Sequence, residues 1–400
     1  MANVSSSNGL EKYPKLRFKG FSGPWTQVLL SDIFKKSTKK NSDGSVTNVI
    51  CNSAKNGLIP QREYFDKSIA NSDNTNGYYI IEQGDFVYNP RKSSDAPYGP
   101  VSIYKYPESG IVSPLYLCFR ALKPINSSFY DYFFKSPSWH RYIYLSGDSG
   151  ARHDRVSIKD DVFFSMPVHI PSEEEQLKVS TFLSLIEKRI VDQQQLVEHL
   201  KKYKRGFLQA SFSSQDDWNT YPISSLGKVV TGSTPPTDNP ENYGGDELFC
   251  APSDVGAEKY ISSTIKRVSE KGFHTGRIVP KGTIIVTCIG LIGKLGIATQ
   301  DMITNQQINS LIVNDAFDNE FIYYALEFAL PRYAAQASMQ TMPILSKSEF
   351  EKITLQIPNI KRQKEISQPL ALLDNKIATQ ALVLENLIAL KNGLLQKLFI

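Results

Sequence analysis

Ten side chains in this 400-residue sequence are of types that bond to nucleobase edges and phosphates, and they gather in glycine- and serine-rich stretches. They are Arg91, Lys92, Arg152 and Arg155 in the first half, and Thr231, Ser233, Lys294, Gln306, Gln307 and Gln340 in the second. Guanidinium and ammonium groups neutralise phosphates, amides offer a donor beside an acceptor, and hydroxyls serve as either. The surrounding runs are Ser146-Gly-Asp-Ser-Gly150, Thr231-Gly-Ser-Thr234, Asn305-Gln306-Gln307 and Ser338-Met-Gln340-Thr341. They have the composition of loops, which a rigid scaffold can place in a groove. Taken singly, each residue is equally consistent with a solvated surface loop. The net charge of +5 and pI near 8.7 permit a polyanionic partner without requiring one.

Catalytic patterns do not emerge. The five histidines (His140, His153, His169, His199, His274) are isolated, and neither G-x-S-x-G nor H-E-x-x-H occurs. Gly290-Leu-Ile-Gly293-Lys294 lacks the spacing of a phosphate-binding loop and reads as a turn leaving a strand. Asn89-Pro90-Arg91-Lys92 begins like the N-P-P-[YF] of amino-methyltransferases and then diverges, and no glycine-rich nucleotide fingerprint appears. The four cysteines (Cys51, Cys118, Cys250, Cys288) are dispersed, as expected of reduced core residues in a cytosolic protein. With no basic start leading into an apolar run and no stretch of about 18 apolar residues, a cytoplasmic chain outside the membrane is expected.

The elements that must position these residues are announced by a repeat. Pro171 to Phe212 aligns with Pro358 to Phe399 at an ungapped offset of 187 residues. Lys204-Arg-Gly206-Phe-Leu208-Gln209-Ala-Ser-Phe212 answers Lys391-Asn-Gly393-Leu-Leu395-Gln396-Lys-Leu-Phe399. Apolar residues fall on a heptad in both copies: Leu183, Ile186, Ile190, Val197, Leu200 and Phe207, then Leu370, Leu373, Ile377, Leu384, Leu387 and Leu394. Gln193 and Gln380 share one slot of that pattern, and Lys204 and Lys391 another. Ser172 with Glu175 predicts a capping box at the first helix start. Asn359 can cap the second, although Pro369 is expected to kink or delay that helix.

Outside the repeat the correspondence continues with drifting offsets: Trp25 with Trp218, Gly84 with Gly282, Phe129 with Phe321 and Ser157 with Ser346. Runs at 78–81, 85–88, 116–119, 282–288 and 311–313 read as short strands, and 129–144 and 321–333 as helices docked on them. The fold class is therefore α+β: two globular domains separated by two long helices that form an antiparallel coiled coil, a pseudo-twofold tandem repeat. The segments are residues 1–170, 171–212, 213–357 and 358–400. A helix of about 36 residues is roughly 54 Å long, which would span about 16 base pairs.

This arrangement resembles the specificity subunit of type I restriction-modification enzymes. The resemblance is carried by the two K-x-G-x-L-Q-x-x-F endings, Leu16-Arg17-Phe18 to Trp25, Ile170-Pro171 with Glu175-Gln176, and Ile357-Pro358 with Gln363. Val112-Ser-Pro-Leu-Tyr116 and Gly290-Leu-Ile-Gly-Lys294-Leu-Gly296 likewise resemble turns of target-recognition domains. It implies that 1–170 and 213–357 are two target-recognition domains, each reading half of an asymmetric bipartite site in double-stranded DNA. The helical seam then doubles as the docking surface for two modification (methyltransferase) subunits, joined by restriction (motor-nuclease) subunits. S-adenosylmethionine, ATP and Mg are expected only in those partners, and this chain is expected to be non-catalytic and free of cofactor or metal. A coiled-coil scaffold carrying two protein-binding modules is the alternative.

Overall fold

Short β-branched and aromatic runs bounded by Gly, Pro and Asn form the strands that their composition predicts. The structure is a computed structural model that describes residues 2–3, 13–64, 75–147, 154–213, 217–256, 258–337 and 344–400. The chain divides into two compact units, Met1–Asp192 with Glu385–Ile400, and Gln193–Leu384. Both long helices are thus shared between units, and the units cut across the four sequence segments.

In the first unit the main sheet has strands β1 (Phe34–Lys36), β2 (Phe86–Tyr88), β3 (Val101–Ile103) and β4 (Leu117–Ala121) in the order β1-β4-β2-β3. All pairs are antiparallel, with Phe119 opposite both Lys36 and Phe86. Helix α1 (Ser127–Lys135) covers the sheet, and Asn126 caps it by accepting from the Phe129 N–H. An aromatic core results: Phe34 meets Phe86 and Phe119 edge-on, each at 5.2 Å, and Tyr130 at 5.4 Å. The single helix expected over 129–144 is in fact two, α1 and α2 (His140–Ser146). Ser136, which precedes Pro137, is extended at φ −82, ψ 162 and ends α1.

The second unit carries β5 (Gly227–Thr231), β6 (Tyr243–Cys250), β7 (Tyr260–Ile261), β8 (Lys266–Val268), β9 (Ile278–Val279), β10 (Ile284–Thr287), β11 (Leu295–Ala298), β12 (Met302–Thr304) and β13 (Ile308–Val313). They make a five-stranded sheet, β5-β13-β10-β11-β7, and a four-stranded one, β8-β6-β12-β9. In each module a two-stranded antiparallel clasp ties the start to the end: Thr26–Leu29 with Pro167–Ile170, and Asn219–Pro222 with Thr354–Ile357.

The long helices α3 (Glu173–Ser213) and α5 (Ile360–Leu398) begin 187 residues apart, so Pro369 does not delay the second. Asn359 Oδ1 accepts from the Arg362 N–H at 3.0 Å, and Gln176 and Gln363 each donate to the preceding proline carbonyl, Pro171 O at 3.1 Å and Pro358 O at 2.9 Å. The expected reciprocal capping box at α3 is replaced by something stronger. Ser172 Oγ accepts from the Glu175 N–H, but the Glu175 carboxylate is buried and gripped bidentately by Arg17 Nε and Nη2, both at 2.7 Å. A buried carboxylate needs such a partner, and a helix cap cannot supply it. No helix among the described residues is long and apolar enough to cross a membrane.

Within each unit α3 and α5 segments run antiparallel, and none of the twelve heptad residues is exposed; Leu183, Ile190, Val197, Leu370 and Leu394 are buried. In the first unit Glu187 accepts from Lys391 Nζ at 2.6 Å. In the second, Gln193 Nε2 donates to Gln380 O and Oε1 at 2.9 and 2.8 Å, and Asp374 pairs with Lys204 at 2.8 Å. The offset of 187 converts Glu187–Lys391 into Asp374–Lys204, so the same contact is made twice.

The repeated terminal phenylalanine is explained the same way. Phe399 packs on Phe129 of α1 at 5.3 Å, and its repeat mate Phe212 stacks on Phe321 of α4 (Asn319–Ala337) at 5.3 Å. Trp25 and Trp218 complete the two clusters at 6.1 and 5.7 Å from those rings.

Candidate nucleic-acid interface

Three of the four basic residues singled out in the first module converge. Arg91 and Arg155 face each other across an antiparallel bridge. Lys92 N–H donates to Asp154 O at 2.9 Å and Val156 N–H to Pro90 O at 2.8 Å. These bonds flank the arginine pair, which makes it a non-hydrogen-bonded pair, the arrangement in which opposite side chains lie closest. Like charges so placed repel by a few tenths to about 1 kcal/mol. Arg155 Nε is shielded from solvent and finds no hydrogen-bond acceptor among the described residues, with Asp154 Oδ2 at 3.8 Å. Arg91, Lys92 and Arg155 line one open hollow of about 720 Å³ together with Asn52, Asn89 and Tyr116. Two guanidiniums beside such a hollow have the charge and the donors that would suit a polyanion. Arg152 lies outside the described residues.

The second module builds its cluster from hydroxyls and amides. Thr231 Oγ1 donates to Asn309 Oδ1 at 2.7 Å, and Thr234 Oγ1 to Gln306 Oε1 at 2.6 Å. Ser233 N–H donates to Thr304 O at 2.8 Å, while Ser233 Oγ accepts from the Arg277 N–H at 3.1 Å. Asn305 Nδ2 donates to Gln307 Oε1 at 3.1 Å, and Gln307 O accepts from the Cys288 N–H at 2.8 Å. Gly232 lets these turns touch, because a Cβ there would lie 2.1 Å from Asn305 O. Thr231, Ser233, Gln306 and Gln307 are therefore one fixed constellation. Lys294 sits on the neighbouring turn between β10 and β11, where its N–H donates to Thr287 Oγ1 at 3.0 Å. Gln340 lies outside the described residues.

Sequence reasoning missed Arg277. Its Nη1 donates to Thr231 O at 2.9 Å, so it ties the β5 end to β9, a cross-strand relation that no local spacing announces. It also missed the polar junctions joining modules to helices. In the first unit Tyr132 Oη donates to Glu187 at 2.9 Å, and Lys135 lies 3.4 Å from the same carboxylate. Burial would raise the Glu187 carboxyl, but Lys135, Lys391 and Tyr132 together hold it down to about 2. In the second unit Tyr324 Oη donates to Asp374 at 2.5 Å, and Lys204 is bound by Glu327 at 2.9 Å as well as by Asp374. Burial disfavours the Lys204 charge, yet these two carboxylates keep its pKa raised. Lys135 and Glu327 hold matching places, so Glu187 binds two lysines in the first junction and Lys204 binds two acids in the second.

Comparison with known proteins agrees with this architecture. Residues 215–388 match the type I restriction modification DNA specificity domain. The chain is 32% identical over 167 residues to the type I restriction enzyme MjaIX specificity subunit of Methanocaldococcus jannaschii, covering 40% of this chain and 39% of that protein. It is also 32% identical over 147 residues to the HindI specificity subunit of Haemophilus influenzae, covering 36% and 32%. The chain thus spans only about two-fifths and a third of the relatives it matches. The type I restriction-modification system S subunit from M. genitalium shares the fold over 97% of this chain and 99% of that one, with a TM-score of 0.61 at 16% identity. A chain from a study of complex assembly in a type I R-M system covers 93% and 96%, with a TM-score of 0.59 at 13% identity. Residues 215–388 are thus similar to a type I restriction modification DNA specificity domain, and the duplicated module-and-helix fold is that of the solved type I S subunit.

Proposed function

We propose that this chain is the DNA-reading subunit of a type I restriction-modification complex, each module contacting one half of an asymmetric bipartite duplex site. One observation carries the reading: corresponding ends of the two module sheets present guanidiniums in the first and amides with hydroxyls in the second. Such faces suit different base sequences, which is what an asymmetric site needs. Phosphate neutralisation by Arg91, Lys92 and Arg155 supplies affinity, and turn side chains supply discrimination.

The helices dock two modification subunits in this proposal, because the repeat offers the same surface twice. Leu185 and Leu372, 187 residues apart, are 61% and 69% exposed, and Tyr203 and Leu390 form a second equivalent pair. Methyl transfer, with S-adenosylmethionine, and cleavage, with ATP and Mg, belong to the partner subunits. The chain itself transfers no methyl group. Binding to duplex DNA across a salt series tests the reading, since log K should fall linearly with log salt. Salt-independent binding, or none, would favour a protein-only scaffold.

A further inference from the structure

The four strands of the first module's main sheet match four of the second module's five-stranded sheet, so the turns between them can be compared. The order β1-β4-β2-β3 corresponds to β5-β13-β10-β11. Phe119 lies opposite Phe86 and Leu117 opposite Tyr88, as Leu311 lies opposite Ile284 and Ile308 opposite Thr287. Residues 113–116 leading into β4 therefore correspond to 305–307 leading into β13, and residues 89–100 after β2 to 288–294 after β10. In each module these turns lie at the same end of the sheet as the polar residues described above.

Two large apolar side chains stand in the open there, Leu115 at 60% and Leu291 at 63% exposure. Both are held out by built turns. Tyr116 N–H donates to Ser113 O at 3.0 Å and Leu115 N–H to Ser113 Oγ at 3.3 Å, with Pro114 between them. Leu291 follows Gly290 at φ 75 and precedes Gly293 at φ 87, backbone that favours glycine. Thr287 Oγ1 fixes that turn by donating to Leu291 O and accepting from the Lys294 N–H.

A single exposed leucine is ordinary. These two are distinguished by their company. Leu115 lines the same hollow as Arg91, Lys92 and Arg155, while its counterpart turn in the second module carries Gln306 and Gln307. Leu291 precedes Lys294, and its counterpart turn carries Arg91 and Lys92. Each module thus carries one exposed leucine on one of these two turns, and the other module carries its leucine on the opposite turn. Among the edges that base pairs show in the major groove, the apolar group is the thymine 5-methyl.

We propose that Leu115 and Leu291 are specificity-determining residues, each packing on the 5-methyl of a thymine in its own module's half-site. This rests on the DNA reading above and adds a base identity to it.

The full chain assembled with its modification subunits is titrated with a duplex containing the mapped site, and thymines are replaced by uracil one at a time. One replacement in each half-site should weaken binding about four-fold, the worth of one buried methyl. Leu115→Ala should abolish the uracil effect in one half-site only, and Leu291→Ala in the other only. Indifference of the unaltered protein to every uracil, or an effect that persists in both variants, would overturn the proposal. So would uracil indifference combined with a leucine-dependent rise in 2-aminopurine fluorescence, which would make the leucines wedges between base steps. Absence of any salt-dependent duplex binding would sink the DNA reading itself, a result distinguishable from these.

Discussion

Phe399→Ala should cost the first unit about 3–4 kcal/mol of unfolding free energy. Phe399 is 4% exposed, and its ring lies 5.3 Å from Phe129 and 6.3 Å from Phe133. Burial of a phenylalanine contributes about 2–3 kcal/mol, and its aromatic pairs add about 0.5–1.5 kcal/mol beyond area. The surrounding rings, locked by Phe34, Phe86 and Phe119, can collapse little into the space. Phe212→Ala should cost the second unit a comparable amount, because Phe212 meets Phe321 and Phe328, each at 5.3 Å. The two core clusters share no residue, so the double variant should lose the sum within about 0.5 kcal/mol. Urea titration followed by tryptophan fluorescence reads both, since Trp25 and Trp139 lie in the first cluster and Trp218 packs on the second. A loss below about 1 kcal/mol from Phe399→Ala would refute the claim that the repeated helix ending is a module anchor.

Other outcomes follow from the same contacts. Glu187 is held near 2 against an ordinary 4.5. A depressed folded-state value stabilises above the unfolded one and is lost as pH falls between them, so acid titration should show a loss of stability from about 4.5 to 2 that Glu187→Gln flattens. Arg91→Ala and Arg155→Ala should each weaken duplex binding and, where a phosphate contact is lost, flatten the salt slope by about 1; an unchanged slope in both would remove the pair from the phosphate backbone. Ile190→Asp with Leu200→Asp places unpaired charges in the helix seam. Partner-dependent methylation should fall, and wild-type methylation of an unchanged site would contradict the docking role.

Periodic features were readable from the sequence, and long-range polar contacts were not. The heptads, the common helix starts and the strands near 79–81, 86–88 and 284–287 follow from patterns within a few residues of each other. Pro369 misled because proline within a long helix removes one bond, while Asn359 and Gln363 still fix the start. The break at Pro137 was legible in principle, since the residue before proline disfavours the helical region. Arg17 with Glu175 lies 158 residues apart and Arg277 with Thr231 lies 46 apart; partners at such separations leave no local trace. The same reason hid the junctions at Glu187 and Lys204. The polar loop residues were found by type, but only the strand register shows that Arg91 faces Arg155 and that Thr231 joins Asn309.

The central claim is that two different readers on one chain specify one divided DNA site. Mapping methylated adenines in DNA from cells that contain the modification subunit, with and without this chain, tests it most directly. Methylation within a two-part, asymmetric motif with an unread gap, lost when the chain is absent, is the result this account predicts. A continuous or palindromic motif, or methylation that does not depend on the chain, would contradict it.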